Sequence, residues 1–242
     1  MLDRVTPERV LVVVAHPDDV DFGASGSVAS WTKAGVDVQY CLVTSGDAGS
    51  EDRHTTAEEI AAVRISEQRA AAAVVGVTEL HLLGHRDGAV EANLALRRDI
   101  VRVIREVRPD LVVAQSPERN LDRIYASHPD HLAAGEATLA AVYPDARNPR
   151  SFPELLDEGF EPHAVREMWL MAGPLTPESS RVHVDITDTI DLKIAALRAH
   201  VSQTSHRDDL DEMIRGWSAL TAAEVGLPEG RLAEAFRRID TK

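Results

Sequence analysis

The sequence predicts an α/β fold: a Rossmann-like three-layer sandwich with a mostly parallel sheet, in one domain over residues 1–242. Three observations carry that expectation. Short unbroken Val/Leu runs, such as residues 10–15, read as strands buried on both faces. Helically patterned stretches alternate with them in the order βαβαβαβα. The 242 residues are enough for one large core, and they contain no internal repeat or low-complexity linker.

The elements follow in order. The first strand is 10–15, and a helix over 23–33 stops at Gly35. The second strand is 36–44, and a polar, glycine-containing loop covers 45–56. A long helix over 57–75 carries Val63 and Arg64 near its middle, with Gly76 beyond its end. Residues 79–83 are a short strand, 84–91 a loop and 94–107 a helix that Pro109 ends. A strand over 111–114, a polar loop over 116–127 and a helix over 128–142 come next. Residues 143–162, rich in Pro, Glu and Asp, read as an excursion within the same domain. Residues 164–172 and 181–186 look like strands, and 189–201 and the last thirty or so residues look helical.

Composition narrows the partners. The formal net charge of −14 repels nucleic-acid phosphates and anionic membranes, so both are poor candidate partners, and its plainer meaning is solubility. Cys41 is the one cysteine, so there is no intramolecular disulfide and no CxxC metal site, and it reads as a small buried strand residue. The N-terminal segment MLDRVTPERV has no apolar core of a signal peptide. No apolar stretch approaches the roughly 20 residues that span a bilayer. The expected location is cytoplasmic.

In sheets of this kind ligands bind beyond the carboxyl ends of the strands. Loops 16–21, 45–49, 84–88 and 116–131 should therefore share one crevice. His16-Pro17-Asp18-Asp19 follows the first strand directly. A turn there brings His16 and Asp19 together, and imidazole and carboxylate are ligand types that zinc accepts. Asp18 then sits beside the metal without having to bind it. A helix cap explains one of these aspartates but neither the second nor the histidine. The second cluster is His128-Pro129-Asp130-His131, with Ser127 placed as an N-cap and Asp130 as its reciprocal partner. His128 and His131 lie three apart near the start of one helix and face the same way. Two histidines and one aspartate around an open fourth position make up a catalytic zinc site.

With these two segments the chain resembles the PIG-L/LmbE-type N-acetylglucosaminyl deacetylases. Their signature is AHPDD after the first strand and a later HPDH-type segment, here Ala15-His16-Pro17-Asp18-Asp19 and His128-Pro129-Asp130-His131. Supporting matches are Thr44-Ser45-Gly46-Asp47-Ala48-Gly49, Arg64-x-x-Glu67, Asp87-Gly88 and Lys193…His200-x-Ser202-Gln203. The resemblance implies a hydrolase that removes an acyl group from an amino sugar or its conjugate, using Zn2+, with Fe2+ possible in its place. It implies His16, Asp19 and His131 as metal ligands and Asp18 as general base. It implies His128 as oxyanion stabiliser, with Asp130 orienting and charging its imidazole. Arg64, Asp47 and Asp87 fall at sugar-contacting positions. Related bacterial proteins imply a homo-oligomer.

There are departures from the family pattern. Val20-Asp21 stands where many members have Glu, and Ala126 stands where several bacterial members have a substrate-facing tyrosine. Tyr125, one residue further back, becomes the candidate for that contact. Three rival readings remain. A dinucleotide enzyme needs Gly-x-Gly-x-x-Gly right after the first strand, and Gly23 and Gly26 come too late. A non-catalytic sugar- or metal-binding relative would be expected to lack Asp18 or His128. A zinc amidase acting on a thiol conjugate or peptide-like amide would use the same residues. His54 and His85 are expected in loops at the active-site edge, and His200 and His206 carry no assigned role.

Overall fold

The computed structural model describes residues 7–122, 124, 127–171 and 178–241. Strands β1 (Arg9–Val14), β2 (Asp37–Thr44), β3 (Leu80–His85), β4 (Leu111–Ala114) and β5 (Glu167–Met171) pair in parallel. Strands β6 (Arg181–Asp185) and β7 (Ala233–Asp240) complete a seven-stranded sheet ordered β3-β2-β1-β4-β5-β7-β6, with β7 antiparallel to both neighbours. The expected mostly parallel sheet is present, with helices on both faces.

Strand β1 shows why its sequence is so uniformly apolar. Leu11 and Val13 enter a core shared with α4 (Leu94–Val107) and α5 (Pro129–Ala140). Val10, Val12 and Val14 enter the opposite core, shared with α2 (Ser25–Lys33), α3 (Ala57–Val74) and α7 (Ile190–Ala199). Both faces are dry, so both sets of alternating side chains must be hydrophobic. Helix α4 buries Leu96, Ile100, Val103, Ile104 and Val107, a helical spacing, and Asn93 caps it by accepting from the Leu96 amide at 3.0 Å. Thr56 and Glu59 form a capping box that starts α3.

Three expectations change. The single helix over 23–33 is two, α1 (Asp19–Gly23) and α2, broken at Ala24 (φ −147°). The Glu234 carboxylate explains the break: it accepts from the Gly26 and Ser27 amides at 3.1 and 2.8 Å and so begins α2 afresh. The helix expected over 128–142 ends at Ala140, and the chain kinks through Ala141–Asp145, where Tyr143 is extended (φ −143°, ψ 121°) and Pro144 offers no amide hydrogen. Asp145 pairs with Arg97, and Arg105 donates to the carbonyls of Asp145, Ala146, Asn148 and Ser151, which ties the excursion to α4.

The third change is at the C-terminus. After α8 (Val201–Thr204), only α9 (Leu210–Glu224) of the last thirty-odd residues is helical. Gly226 (φ +77°) and Gly230 (φ +85°) turn the chain, and 233–240 becomes strand β7. Its Ala, Glu and Arg content favours helix, but pairing with two strands overrides that preference. Among the described residues, no helix is long and apolar enough to cross a membrane.

Helix α5 lies against the chain leaving β4 so closely that a Cβ on Gly135 would stand 2.4 Å from the Gln115 carbonyl oxygen. The neighbour is backbone and cannot rotate away. Gly135→Ala is expected to destabilise by roughly 1–3 kcal/mol, read as a Tm lower by several degrees. Gly216, exposed on α9 with nothing within 4 Å of a built Cβ, is the control. Gly216→Ala is expected to raise Tm, by up to about 1 kcal/mol of helix propensity.

Candidate active site

The site grows from the gap between β1 and β4. The Ala15 amide donates to the Gln115 side chain at 2.9 Å, and the Ala15 carbonyl accepts from the Thr44 amide and hydroxyl at 2.8 and 2.9 Å. Both backbone groups are thus satisfied at the strand end, and His16 leaves the sheet. The Asp19 carboxylate folds back to accept from the His16 amide at 2.7 Å. Between them Asp18 takes a left-handed conformation (φ 87°), which costs a non-glycine residue roughly 1–2 kcal/mol. Its amide donates to the Gln68 side-chain oxygen at 2.8 Å. Arg64 donates to the Pro17 carbonyl at 2.6 Å and to the Asp18 carboxylate at 3.1 Å. Such strain persists only where surrounding contacts fix it.

His16, Asp19 and His131 converge. His16 Nδ1 lies 3.2 Å from His131 Nε2 and 3.3 Å from Asp19 Oδ2, and His131 Nε2 lies 3.0 Å from Asp19 Oδ1. Ligands held by one zinc at about 2.0–2.2 Å in a tetrahedron stand about 3.3 Å apart, so this donor set fits a metal. The other nitrogen of His16, Nε2, lies 3.1 Å from Asp87 Oδ1 and 3.2 Å from Asp130 Oδ2. A ligating histidine characteristically turns its second nitrogen to a carboxylate, which fixes the ring. Donor atoms of His16, His128 and His131 also lie within 4.8 Å of one another, as do those of His16, Asp87 and Asp130.

Asp130 in turn accepts from the Gly88 and Val90 amides at 2.7 and 3.3 Å. Asp87 accepts from the Ala48 amide at 3.1 Å, and its own amide donates to Asp47 at 3.1 Å. The loops after β2 and β3 are therefore tied to the start of α5 through charge-assisted hydrogen bonds.

Four carboxylates, Asp18, Asp19, Asp87 and Asp130, surround this point, and the electrostatics follow from them. Burial alone disfavours charge on His16, but hydrogen bonds to Asp19 and Asp87 outweigh it and push the imidazole up to about 10. Burial likewise opposes charge on Asp19, yet hydrogen bonds from His131 and His16 hold it well below the carboxylate range. Asp18 goes the other way: burial and the adjacent Asp19 charge push it up to about 7, against the pull of Arg64 and His200. The cluster favours a positive charge at its centre, as a divalent cation would provide.

The sequence expected Ser127 to cap α5 and Asp130 to orient and charge His128. The structure differs. Ser127 Oγ accepts from the Asn120 amide at 2.8 Å, and His128 itself is the cap, its Nδ1 accepting from the Asp130 amide at 3.2 Å. That hydrogen bond assigns the His128 proton to Nε2. Burial and the neighbouring His16 and His131 charges lower the His128 pKa, against the opposing pull of the Asp130 and Asp87 carboxylates, so the Asp130 carboxylate still favours charge on His128 without being hydrogen-bonded to its ring. The Asp130 carboxylate, 1% exposed, faces inward to His16 because the 88–90 amides draw it there.

Arg64 is buried, and a Cβ on Gly46 or Gly49 would stand 2.3 or 2.4 Å from its guanidinium, so those glycines make its room. Asp47 is half-buried on the same loop. Tyr125, the proposed substrate contact, lies outside the described residues, as does Ala126. His85 pairs with Asp99 of α4 at 3.0 Å, and His54 and His206 are exposed. Gln68 and Gln115 were not legible as site residues. The signal for Gln68 was its place one turn beyond Arg64 on α3.

Comparison with known proteins agrees with this geometry. The family model described as GlcNAc-PI de-N-acetylase (PIG-L) matches residues 11–142. A diacetylchitobiose deacetylase of Thermococcus kodakarensis is 32% identical over 95% of this chain and 82% of its own. A probable N-acetyl-alpha-D-glucosaminyl L-malate deacetylase 2 of Bacillus anthracis is 31% identical over 81% of each chain. The structure of the N,N'-diacetylchitobiose deacetylase from Pyrococcus horikoshii superposes with a TM-score of 0.86 at 28% identity, covering 97% of this chain and 85% of the other. Paired histidine–aspartate segments meeting at the ends of β1 and α5, together with these matches, show that the chain belongs to the PIG-L family of de-N-acetylases.

Proposed function

We propose that this protein is a zinc-dependent N-deacetylase that hydrolyses the acetamide of an N-acetylglucosamine-type amino sugar or its conjugate. The convergence of His16, Asp19 and His131 donor atoms at 3.0–3.3 Å carries the reading. The names of the Thermococcus and Bacillus relatives, both deacetylases of acetylated glucosamine compounds, support the substrate class. One sheet runs through the chain, which supports its acting as one domain.

Residue roles follow from the geometry. His16, Asp19 and His131 would hold the metal, which when bound acts as a Lewis acid and makes hydroxide accessible near neutral pH. Asp18, raised to about 7, is suited to take a proton from the attacking water and return it to the departing amine. His128 offers its Nε2 hydrogen to the carbonyl oxygen as negative charge develops there. The amide C–N bond breaks, leaving acetate and a free amine. Asp87 and Asp130 orient His16, and Arg64 holds the Asp18 turn from behind.

Metal analysis and amine release from N,N'-diacetylchitobiose test this. Wild type is expected to carry about one zinc per chain, and His131→Ala to lose both metal and activity. Asp18→Asn is expected to keep the metal and lose about 10²–10⁴ in kcat. Turnover of Asp18→Asn near that of wild type would remove the base assignment. Asp130→Asn separates the two accounts of Asp130. Orientation of His16 predicts metal affinity weakened about 10–100-fold, whereas orientation of His128 would leave affinity unchanged. Chelation is expected to lower Tm, because it leaves four clustered carboxylates without the cation that binds only the folded protein.

A further inference from the structure

A buried polar chain behind Asp18 makes no contact with the proposed metal ligands' donor atoms and has no assigned role above beyond the pull of His200 on Asp18. The Asp18 amide donates to Gln68 Oε1 at 2.8 Å, Gln68 Nε2 donates to Asp21 Oδ2 at 3.0 Å, and His200 Nε2 lies 2.9 Å from that same oxygen. Asp21, Gln68 and His200 are each 0% exposed. The chain has a direction. A carboxylate only accepts, so both nitrogens facing Asp21 Oδ2 must carry hydrogen. The Gln68 amide cannot turn over without setting its oxygen against Asp21 and its NH2 against the Asp18 amide. His200 Nδ1 and Asp21 Oδ1 have no hydrogen-bond partner, so the one oxygen, Oδ2, is the junction.

The source of His200 is informative. It sits at the corner between α7 and α8, and its neighbours reach the same side of the molecule. The Ser202 amide and hydroxyl donate to Glu67 of α3 at 2.7 and 2.6 Å. Gln203 donates to the Gly49 carbonyl at 3.0 Å. Three residues of one corner thus reach α1, which Asp18 precedes, α3, which carries Arg64, and the loop after β2. A generic packing contact needs no such donors, since apolar side chains fill buried space at lower cost.

We propose that Gln68, Asp21 and His200 form a positioning relay that holds Asp18 in its left-handed conformation and so aims its carboxylate at the reacting water. The proposal rests on Asp18 being the base. These three residues are positioning residues: Gln68 holds the Asp18 amide directly, and Asp21 and His200 hold Gln68 through the shared Asp21 oxygen. Small misplacement of a reacting group costs up to about a hundredfold in rate, which sets the scale of the effect.

The test compares His200→Leu, His200→Gln and Gln68→Met by metal content, kcat, KM and NMR hydrogen exchange of the Asp18 amide. His200→Leu and Gln68→Met are expected to keep the metal and KM, lose about 10–100-fold in kcat, and exchange the Asp18 amide at least about tenfold faster. His200→Gln returns an N–H near the place of Nε2 and is expected to recover most of the rate and the protection. Wild-type exchange and kcat in Gln68→Met would overturn the relay. So would loss of metal in step with kcat, which would mean that the chain serves Asp19, and so would a His200→Gln variant no better than His200→Leu. If His200→Leu does not fold, Gln68→Met, with an unbranched side chain of similar length, decides by itself. If Asp18→Asn proves active, the base assignment falls, while amide exchange still reports whether the relay holds the turn.

Discussion

Negative charge cannot be gathered in a protein interior without something positive among it, and this site is built around that constraint. Asp19, Asp87 and Asp130 come from three separate segments of the chain and meet around His16, with Asp18 next to them on Arg64. Each would be costly to bury alone. The chain answers with Arg64, two imidazoles and the amides of Ala48, Gly88 and Val90. What is left over is best answered by a cation. The glycines beside Arg64 and the left-handed backbone at Asp18 are consequences of the same demand.

The adjacent pair Asp18 and Asp19 shows how far environment can divide identical side chains. Asp19 is folded back onto its own turn and pinned by imidazoles, which keeps it ionised. Asp18 is rotated out of that grip by one backbone dihedral and shifted towards neutrality. One becomes suited to hold a metal and the other to exchange a proton. Groups whose surroundings push their pKa values apart divide acid–base roles in this way.

Much of this was legible in the sequence, for identifiable reasons. Strand β1 announced itself because burial on both faces leaves only apolar residues. His16, Asp19 and His131 were legible because polar residues at the end of such a strand, or paired at a helix start, are hard to explain by packing. The orientation of Asp130 was not, because its partners Gly88 and Val90 are forty residues away and attract it only through their backbone. Strand β7 was hidden by its composition. Glu234, an ordinary helix former, is spent on pairing with Lys193 and capping α2. The matched family region ends at residue 142, yet Lys193, His200 and Glu234 reach back to the helices that carry the site.

The position of β7 bears on how the chain comes into being. Strand β7, the last among the described residues, lies between β5 and β6, and among those residues β6 joins the sheet only through it. On a ribosome, which releases the chain from its N-terminus, the first five strands can assemble while β6 has no partner and one edge of β5 stays open. That edge carries Trp169 and Leu170, the sort of surface that chaperones bind and that neighbouring nascent chains can zip onto. Closure waits for residues 233–240, and the same event delivers Glu234 to α2. The molecule is finished from the middle of its sheet, so a chain interrupted before residue 233 would leave an open and adhesive sheet edge rather than a slightly shortened protein.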